Sequence, residues 1–536
     1  MRMEFPQINF DYANPQQCSD LLASVPLTNL DHARAALVGL IRGMLATPPE
    51  PLAHLQVLEQ ARPAVSFVVG EVAKRYSFQP LPPALQENDL LLQVVSLLQA
   101  MAHSYSEVAS RGGELPSVQS RLAVICQRCI HYSGRVILEH FRARREIPPG
   151  LWIDLHGYYA TAEEWQIAGV QVAEPMSELH PTESCQDAYG AILLVDLANP
   201  YGCTPREFVW VVRWANLFAQ QISIVSPTGA AEESRCYGVD LMLDRGLRPL
   251  TMLAPTQTRF RFDGTQLAPR LQQMVLRLRE GVAPSALGLG DDVVMPQGAR
   301  VLLRLYRPWC HAAPLRRFQR RTGSGSAELS FGFEPIHYYI GGDEFVQPEP
   351  ARIYSRAEVD SMLTFGDRIE GGEKLQLRSA QIGYALEQWQ VVNQSVAGFQ
   401  LRHESAESRL GQRIENNQLI GIRPPDGERM LLGQVSWTMF ESSGGLLIGV
   451  ALLPGAPDAL AARQTGINAA QSGAYSRAFV LPAVAALKEP NSLILPRGWY
   501  QKGRALEIYV DHVVRIKLSA LLQQGVDFER VAFAVS

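Results

Sequence analysis

Residues 389–403 read WQVVNQSVAGFQLRH, a stretch of strand character with Asn-Gln-Ser-Val-Ala-Gly at its centre. Alternating apolar and polar residues are typical of a half-buried β-strand. Within the hexapeptide, the short polar side chain of Asn393 can hydrogen-bond a base edge, and the hydroxyl of Ser395 can support a turn. Gly398 permits either a close backbone approach or a positive φ. By itself this pattern fits any β-turn.

A second pattern lies upstream, where residues 304–321 contain six arginines and no acidic residue. Its densest part is RRFQRR at residues 316–321, followed by a glycine- and serine-rich stretch. Closely spaced guanidinium groups repel one another and therefore indicate an anionic partner. The planar guanidinium can pair with phosphate, hydrogen-bond to the edge of a guanine or stack on a base. A solvated linker between domains is the competing interpretation, and the arginines alone do not separate the two.

Taken together, RxxxR followed by [DN]xSxxG resembles the PilZ domain, the bacterial receptor module for cyclic di-GMP. The strand pattern downstream extends the resemblance. Residues 419–428 are typical of a strand, a turn and the start of the next strand, LGQVSW at 432–437 is similar to the family's G-x-V-x-W strand, and 445–452 to its closing strand. The resemblance covers residues 301–455, under a third of the chain.

The resemblance implies an antiparallel β-barrel that binds cyclic di-GMP. Two frames of RxxxR fit, Arg316 with Arg320 and Arg317 with Arg321, and we favour the first because RRFQR is similar to the family's RRxxR. In the family these arginines engage phosphates and guanine edges, and [DN]xSxxG on the barrel surface holds a guanine. The implied ligand-binding residues are therefore Arg316, Arg317, Arg320, Arg321, Asn393, Ser395 and Gly398.

Two features depart from the family pattern. Arg320 and Asn393 are separated by 73 positions, more than is usual, which predicts an insertion at about 341–385 with a short helix at 354–365. A β-rich extension at 466–536 follows the barrel, and its strands are predicted at 492–496, 505–511, 514–518 and 530–535.

The first half of the chain is predicted to be helical. Apolar residues recur at helical spacing in residues 30–45, 52–76, 89–107, 117–143, 151–172, 185–197 and 204–221. Short β-rich runs and one more helix, at 265–279, follow. The predicted fold is an α+β multidomain protein with four regions: a helical domain (1–147), a mixed, mostly helical domain (148–300), a PilZ-like barrel (301–465) and a β-rich extension (466–536).

Composition and targeting signals limit the class of protein. The 536 residues carry a formal net charge of −4, which excludes a globally basic coat for nucleic acid. We find no secretory signal and no apolar run long enough to span a membrane. The seven cysteines do not form a disulfide framework, and Cys126 and Cys129 are expected to be buried helical thiols. We therefore expect a cytoplasmic protein.

Catalytic signatures are almost absent, and we expect neither catalytic nor metal-binding residues nor a cofactor. The one match, GGDEF at residues 341–345, reproduces the pentapeptide that names the diguanylate cyclases. The family's preceding arginine is missing, and Pro348 and Pro350 would interrupt the second strand of the hairpin that such a motif requires. A turn with a coincident composition is the better interpretation.

The sequence thus predicts a cyclic di-GMP receptor, not an enzyme, in which ligand binding orders an otherwise mobile segment at 304–321 against the barrel. A protein partner is expected to bind the helical half, and homo-oligomerisation and ligand stoichiometry stay open. The alternatives are a ligand-independent scaffold with a degenerate barrel, a binder of single-stranded RNA and the cyclase. We expect no nucleic-acid polymer as partner.

Overall fold

The computed structural model describes residues 10–225, 236–310, 320–348, 383–404, 413–465 and 474–535. Contacts divide the chain into two compact units. The first comprises Met1–Gln79 and Pro83–Arg316, and the second comprises Pro80–Pro82 and Arg317–Ser536. Every helix in the described residues is too short or too polar to cross a lipid bilayer.

The first unit is built mainly of α-helices. Their bounds are α1 Pro15–Ala23, α2 Leu30–Ala46, α3 Pro51–Ala73, α4 Leu85–Gly112, α5 Pro116–Gln119, α6 Leu122–Arg142, α7 Leu151–Glu164, α8 Cys185–Leu197, α9 Pro205–Phe218, α10 Leu267–Arg279 and α11 Gln297–Cys310. Several start at clear signals: Asn29, Ser184 and Thr204 cap backbone amides with their side chains.

Short strands complete the first unit. β1 (Val172–Ala173) pairs with β2 (Thr182–Glu183). A four-stranded sheet contains β3 (Ser223–Val225), β4 (Tyr237–Asp240), β5 (Arg248–Pro249) and β6 (Arg259–Asp263) in the order β3-β6-β4-β5.

One helix is shorter than predicted, and another was not predicted. The helix predicted at 151–172 ends at Glu164, because Gln166 takes a left-handed φ of 58° and Val172 enters a strand. Helix α11 was not predicted, and it contains Arg304 and Arg307. The prediction of one mobile arginine segment at 304–321 is therefore wrong for its first part, because these two arginines lie on a regular helix with a strongly apolar buried face.

One hydrophobic core runs through the first unit, from Cys18 on α1 to Cys310 on α11. Helices on both sides of the predicted boundary at 147/148 contribute to it. All seven cysteines are free thiols. Cys126 and Cys129 are buried on α6, as expected, and burial raises the pKa of Cys126 to about 11.

An ionic network is buried where α3 and α6 meet the β1–β2 connection. Glu174 accepts from Arg62 Nη2 at 2.7 Å on both carboxylate oxygens and from Arg128 Nη1 at 2.6 Å. Arg128 also donates to Glu59 at 3.0 Å and to the Ala173 carbonyl at 2.9 Å. Arg62 and Arg128 are only 2% and 1% exposed, so their charges depend on these carboxylates rather than on water.

The second unit begins with a closed barrel. It consists of β8 Ser326–Phe331, β9 Glu387–Ser395, β10 Gly398–His403, β11 Leu419–Arg423, β12 Leu431–Phe440 and β13 Leu446–Leu452. Antiparallel pairing runs β9-β10-β13-β12-β11-β8, and β8 pairs with β9 to close the ring. A short strand, β7 (Arg321–Thr322), pairs with the other end of β9. The barrel predicted from the resemblance is therefore present.

Residues 327–340 have strand character in the sequence and predict one long strand, and only the first part of this prediction is confirmed. β8 ends at Phe331, Gly332 takes a positive φ of 84°, and residues Phe333–Gly341 form helix α12. Ile336 on this helix is fully buried against strands of the second unit. The predicted helix at 354–365 lies outside the described residues.

A second barrel follows at the C-terminal end of the chain. Its strands are β14 Asp458–Gln464, β15 Ser476–Leu481, β16 Ser492–Pro496, β17 Ala505–Tyr509, β18 Val513–Gln524 and β19 Phe528–Val535, and they close in the order β14-β15-β16-β19-β18-β17. Its first strand precedes residue 466, where the extension was predicted to start. The two barrels pack together: Leu419 N donates to Asp527 at 2.9 Å, and Phe479 and Phe528 share a core with Leu432.

Candidate ligand-binding site

The hexapeptide forms the tip of the β9–β10 hairpin in the first barrel. Asn393 and Ser395 end β9, Val396 and Ala397 form the turn, and Gly398 begins β10 opposite Ser395. The Ser395 hydroxyl donates to the Gly398 carbonyl at 3.3 Å and so closes the turn. Val396 is 79% exposed, which leaves the tip open to solvent.

A β-bulge decides which way Asn393 faces. Val391 pairs with Leu401, and both are buried in the barrel core. The next pair is Asn393 with Gln400, so Val392 is an extra residue in β9. Paired side chains share a face of the sheet, and Gln400 alternates with the inward-facing Leu401. The bulge therefore turns Asn393 to the outer face, a common use of bulges next to binding sites.

Gly398 is needed for a close approach of two strands. A Cβ at this position would lie 2.0 Å from the backbone oxygen of Val450 on β13. Its φ lies outside the left-handed region, so close approach is the reason for glycine here rather than positive φ.

We expect Gly398→Ala to destabilise the barrel by about 1–3 kcal/mol, because the β10–β13 pair must separate to admit the methyl group. Chemical denaturation of the full chain measures this. Val396→Ala, at the exposed tip of the same turn, is the matched control and should stay within about 0.5 kcal/mol of the parent protein. Equal stability of the Gly398 variant and the parent would contradict the close-approach account.

Strand register extends the outer face around Asn393 into a row across five strands. Asn393 pairs with Thr322 of β7 on one side and with Gln400 of β10 on the other. Gln400 pairs with Gly449 of β13, which pairs with Trp437 of β12. The Asn393 side-chain amide donates to Gln400 Oε1. We call Thr322, Asn393, Gln400, Gly449 and Trp437 the outer row.

The indole of Trp437 lies against Gly449, which leaves space for the ring. A Cβ on Gly449 would be only 2.0 Å from the indole Nε1. Trp437 is half-buried, so part of the residue remains accessible to solvent. The sequence identified Trp437 only as part of a strand, and its place beside Asn393 depends on the bulge and on pairings between distant strands.

The end of the arginine run reaches the same edge of the barrel. Arg321 is exposed in β7 and pairs with Gln394, one residue from Asn393. Gly323 makes this contact possible, because a Cβ there would lie 2.4 Å from Val391 Cγ1. Arg320 precedes β7 and is also exposed. Arg316 and Arg317 lie outside the described residues.

Arg304 is part of the first unit and not of the barrel. It lies on α11 in the first unit, 3.6 Å from Glu207, where it also donates to the Cys203 sulfur at 3.7 Å. Its guanidinium thus has a partner within its own unit.

The GGDEF pentapeptide ends a helix rather than forming a hairpin turn. Gly341 is the last residue of α12, and Gly342 caps it with a φ of 85°. The Phe345 ring meets the edge of His337 at 5.3 Å between centroids, and Arg477 lies over it at 5.0 Å. These contacts give the pentapeptide a structural role, in line with the coincidence that the sequence indicated.

Comparisons with known proteins match both ends of the chain. Residues 16–228 match the N-terminal domain of the cyclic-di-GMP receptor FimW, and residues 460–536 match the FimW C-terminal β-barrel domain. The cyclic-di-GMP receptor FimW of Pseudomonas aeruginosa is 25% identical over 552 aligned positions, which cover 94% of this chain and 87% of that protein. The two domain matches cover more than half of the chain and flank the first barrel. The chain therefore belongs to the FimW family, with the family's N-terminal domain in its helical unit and the family's β-barrel domain in its last six strands.

Proposed function

We propose that the protein is a receptor for cyclic di-GMP that binds the ligand on the first barrel. The observation that carries this proposal is the pairing of β7 with the end of β9. It places the C-terminal end of the arginine run directly beside Asn393, although the two are far apart in sequence. Similarity to a protein named as a cyclic-di-GMP receptor supports the same function.

The groups around the outer row suit this ligand. Cyclic di-GMP carries two phosphate charges, which arginines can bind with charge-assisted hydrogen bonds. Asn393 keeps an amide oxygen and one amide hydrogen for a guanine edge while its other hydrogen is bound to Gln400. Gly398 holds the hairpin tip close to β13, which fixes Asn393 and Ser395 at the barrel surface.

Strand alternation favours one frame of the RxxxR motif. Thr322 pairs with Asn393 and therefore shares its outer face, whereas Arg321 pairs with Gln394 on the opposite face. If the extended backbone continues back by one residue, Arg320 returns to the outer face. We therefore assign Arg320, with Arg316, as the arginines that engage the ligand.

Ligand binding would join the segment before β7 to the barrel. Because this segment also leads back to the helical unit, binding can change which surface that unit offers to a protein partner. Such a switch requires that the ligand bind one arrangement more tightly than the other. We propose that the receptor is not an enzyme and acts in the cytoplasm, where seven free thiols would remain reduced.

Trp437 offers a direct test of the binding face. We expect a guanine of the bound ligand to lie near the indole, so that cyclic di-GMP changes the protein's tryptophan fluorescence. Trp437→Phe should remove most of that change while affinity stays within about tenfold, because the phenyl ring can still stack.

The matched control is Trp499→Phe in the second barrel, which should keep the fluorescence change intact. Titrations of the three proteins with cyclic di-GMP, and with GTP to test selectivity, measure this. A fluorescence change that survives in the Trp437 variant and disappears in the Trp499 variant would move the ligand to the second barrel and contradict the proposal.

A further inference from the structure

The connection between α3 and α4 contributes three residues to the second unit. Both helices belong to the first unit, but Pro80–Pro82, which lies between them, belongs to the second. The chain therefore passes from one unit to the other at Gln79–Pro80, at Pro82–Pro83 and at Arg316–Arg317. Two of these three crossings are made by one short loop. We call Pro80–Pro82 the anchor segment.

Leu81, at the centre of the anchor segment, is bound to the first barrel by its backbone and its side chain. Its N–H donates to the Ile414 carbonyl at 2.9 Å, and its carbonyl accepts from the Ile414 N–H at 2.6 Å. Leu81 is only 1% exposed and shares a core with Val391 and Leu401. Those two residues form the last core pair before the bulge that turns Asn393 outward. Leu81 therefore packs in the core that supports the candidate site.

Arg413 binds the backbone on both sides of Leu81. Its Nε–H donates to the Pro80 carbonyl at 2.8 Å and to the Pro82 carbonyl at 3.0 Å. Hydrogen bonds from a charged donor are stronger than neutral ones. Three of the four residues at 80–83 are prolines, whose rings fix φ. The anchor segment is therefore stiff, and it has little freedom to move independently of Arg413 and Ile414.

The residues on either side of the anchor segment are fixed in the helical unit. The Phe78 N–H donates to the Arg142 carbonyl at 2.9 Å, and the Phe78 ring meets the ring of Phe208 at 5.2 Å between centroids. On the other side, α4 begins at Leu85. Phe78 and Leu81 are three positions apart, so at most about 11 Å of chain joins them. A connection this short and stiff cannot absorb a displacement of Leu81.

Buried contacts also connect Ile414 with the outer row. Thr438 follows Trp437 on β12, and its hydroxyl donates to Asn416 Oδ1 at 2.8 Å. Both partners of this hydrogen bond are buried, and Asn416 lies two residues after Ile414. Close-packed protein interiors transmit strain instead of absorbing it. A displacement of Trp437 would therefore reach the backbone that holds Leu81.

We propose that the anchor segment transmits cyclic di-GMP binding at the outer row to the helical unit, an inference that rests on the proposed function. A ligand in contact with Trp437 shifts β12, and Thr438, Asn416 and Ile414 shift with it. Leu81 follows because its backbone hydrogen bonds and its core contacts are all made to the barrel. The ends of α3 and α4 then move with Leu81. This route is separate from the arginine run, which enters the barrel at β7.

Hydrogen exchange of backbone amides in the full chain, with saturating cyclic di-GMP, measures the transmission. In the parent protein the ligand should change exchange at residues 74–90 by about threefold or more. Arg413→Gln removes the charged donor to the anchor segment, and Pro80→Gly keeps the carbonyl but frees the backbone. Neither substitution touches the side chain of Leu81, so the barrel should stay folded. Both variants should bind cyclic di-GMP within about tenfold of the parent and lose about half or more of the exchange change.

The matched control is Arg504→Gln, because Arg504 is also a half-buried arginine that donates to a backbone carbonyl, that of Trp499 at 2.7 Å in the second barrel. This variant should keep the full exchange change. Binding without any exchange change at residues 74–90 in the parent would overturn the inference and leave the barrel site in place. An undiminished change in both the Arg413 and the Pro80 variants, or an equal loss in the Arg504 variant, would do the same. Absence of binding in calorimetry would overturn the proposed function together with this inference.

Discussion

Arg320→Ala is expected to weaken cyclic di-GMP binding by roughly tenfold to a hundredfold. The side chain sits where the arginine run meets the outer row of the barrel, and a charge-assisted hydrogen bond to phosphate contributes about 1.5–3 kcal/mol. Arg316→Ala should have a similar effect if RRFQR is the frame in use. Isothermal titration calorimetry with the full chain measures both affinities.

The matched control is Arg429→Ala, in the exposed turn between β11 and β12. It removes the same charge from the same barrel at a position outside the outer row, so affinity should stay within about twofold at physiological salt, where distant charges are screened. Unchanged affinity in both the Arg316 and the Arg320 variants would refute the site assignment. A loss confined to Arg317→Ala and Arg321→Ala would select the other frame.

The second large effect concerns the stability of the helical unit. Glu174→Gln keeps the size of the side chain but leaves Arg62 and Arg128 buried with one carboxylate, Glu59, between them. Breaking a buried ion pair in this way costs about 3–5 kcal/mol. Burial alone would raise the pKa of Glu59, but its hydrogen bond and attraction to Arg128 lower it, so Glu59 stays charged and can compensate only in part.

Calorimetric unfolding should show this loss as a lower melting temperature for the helical unit. Glu71→Gln is the control, because its pair with Lys74 is 36% and 68% exposed and such surface pairs contribute less than about 1 kcal/mol. Equal shifts for the two variants would mean that the Arg62–Glu174–Arg128 network does not stabilise the unit.

Local patterns predicted much of the fold because the responsible interactions lie close in sequence. Apolar spacing identified α2, α3 and α8 to within a few residues, and alternation identified β11 and β13. Helix α11 was not predicted, although it buries an apolar face. The predicted strand does not continue beyond Phe331. Gly332 interrupts the extended backbone there, and helix α12 packs Ile336 into the core.

For the candidate site, the sequence predicted several of the residues but not the direction in which their side chains face. Asn393, Ser395 and Gly398 were selected from one hexapeptide, and the structure brings them to a single hairpin tip. Their orientation could not be predicted, because it depends on one extra residue, Val392, whose effect appears only once β10 is in register. Trp437 and Gln400 were missed as site residues for the same reason: strand pairings, not sequence spacing, place them beside Asn393.

Calorimetric titration of the unmodified full chain with cyclic di-GMP is the decisive test of whether the first barrel binds this ligand. We expect saturable binding with a defined stoichiometry, and loss of that binding in Asn393→Ala with the fold retained. Absence of binding heat at several temperatures, for protein shown to be folded, would contradict the claim and indicate a scaffold whose barrel has lost its ligand.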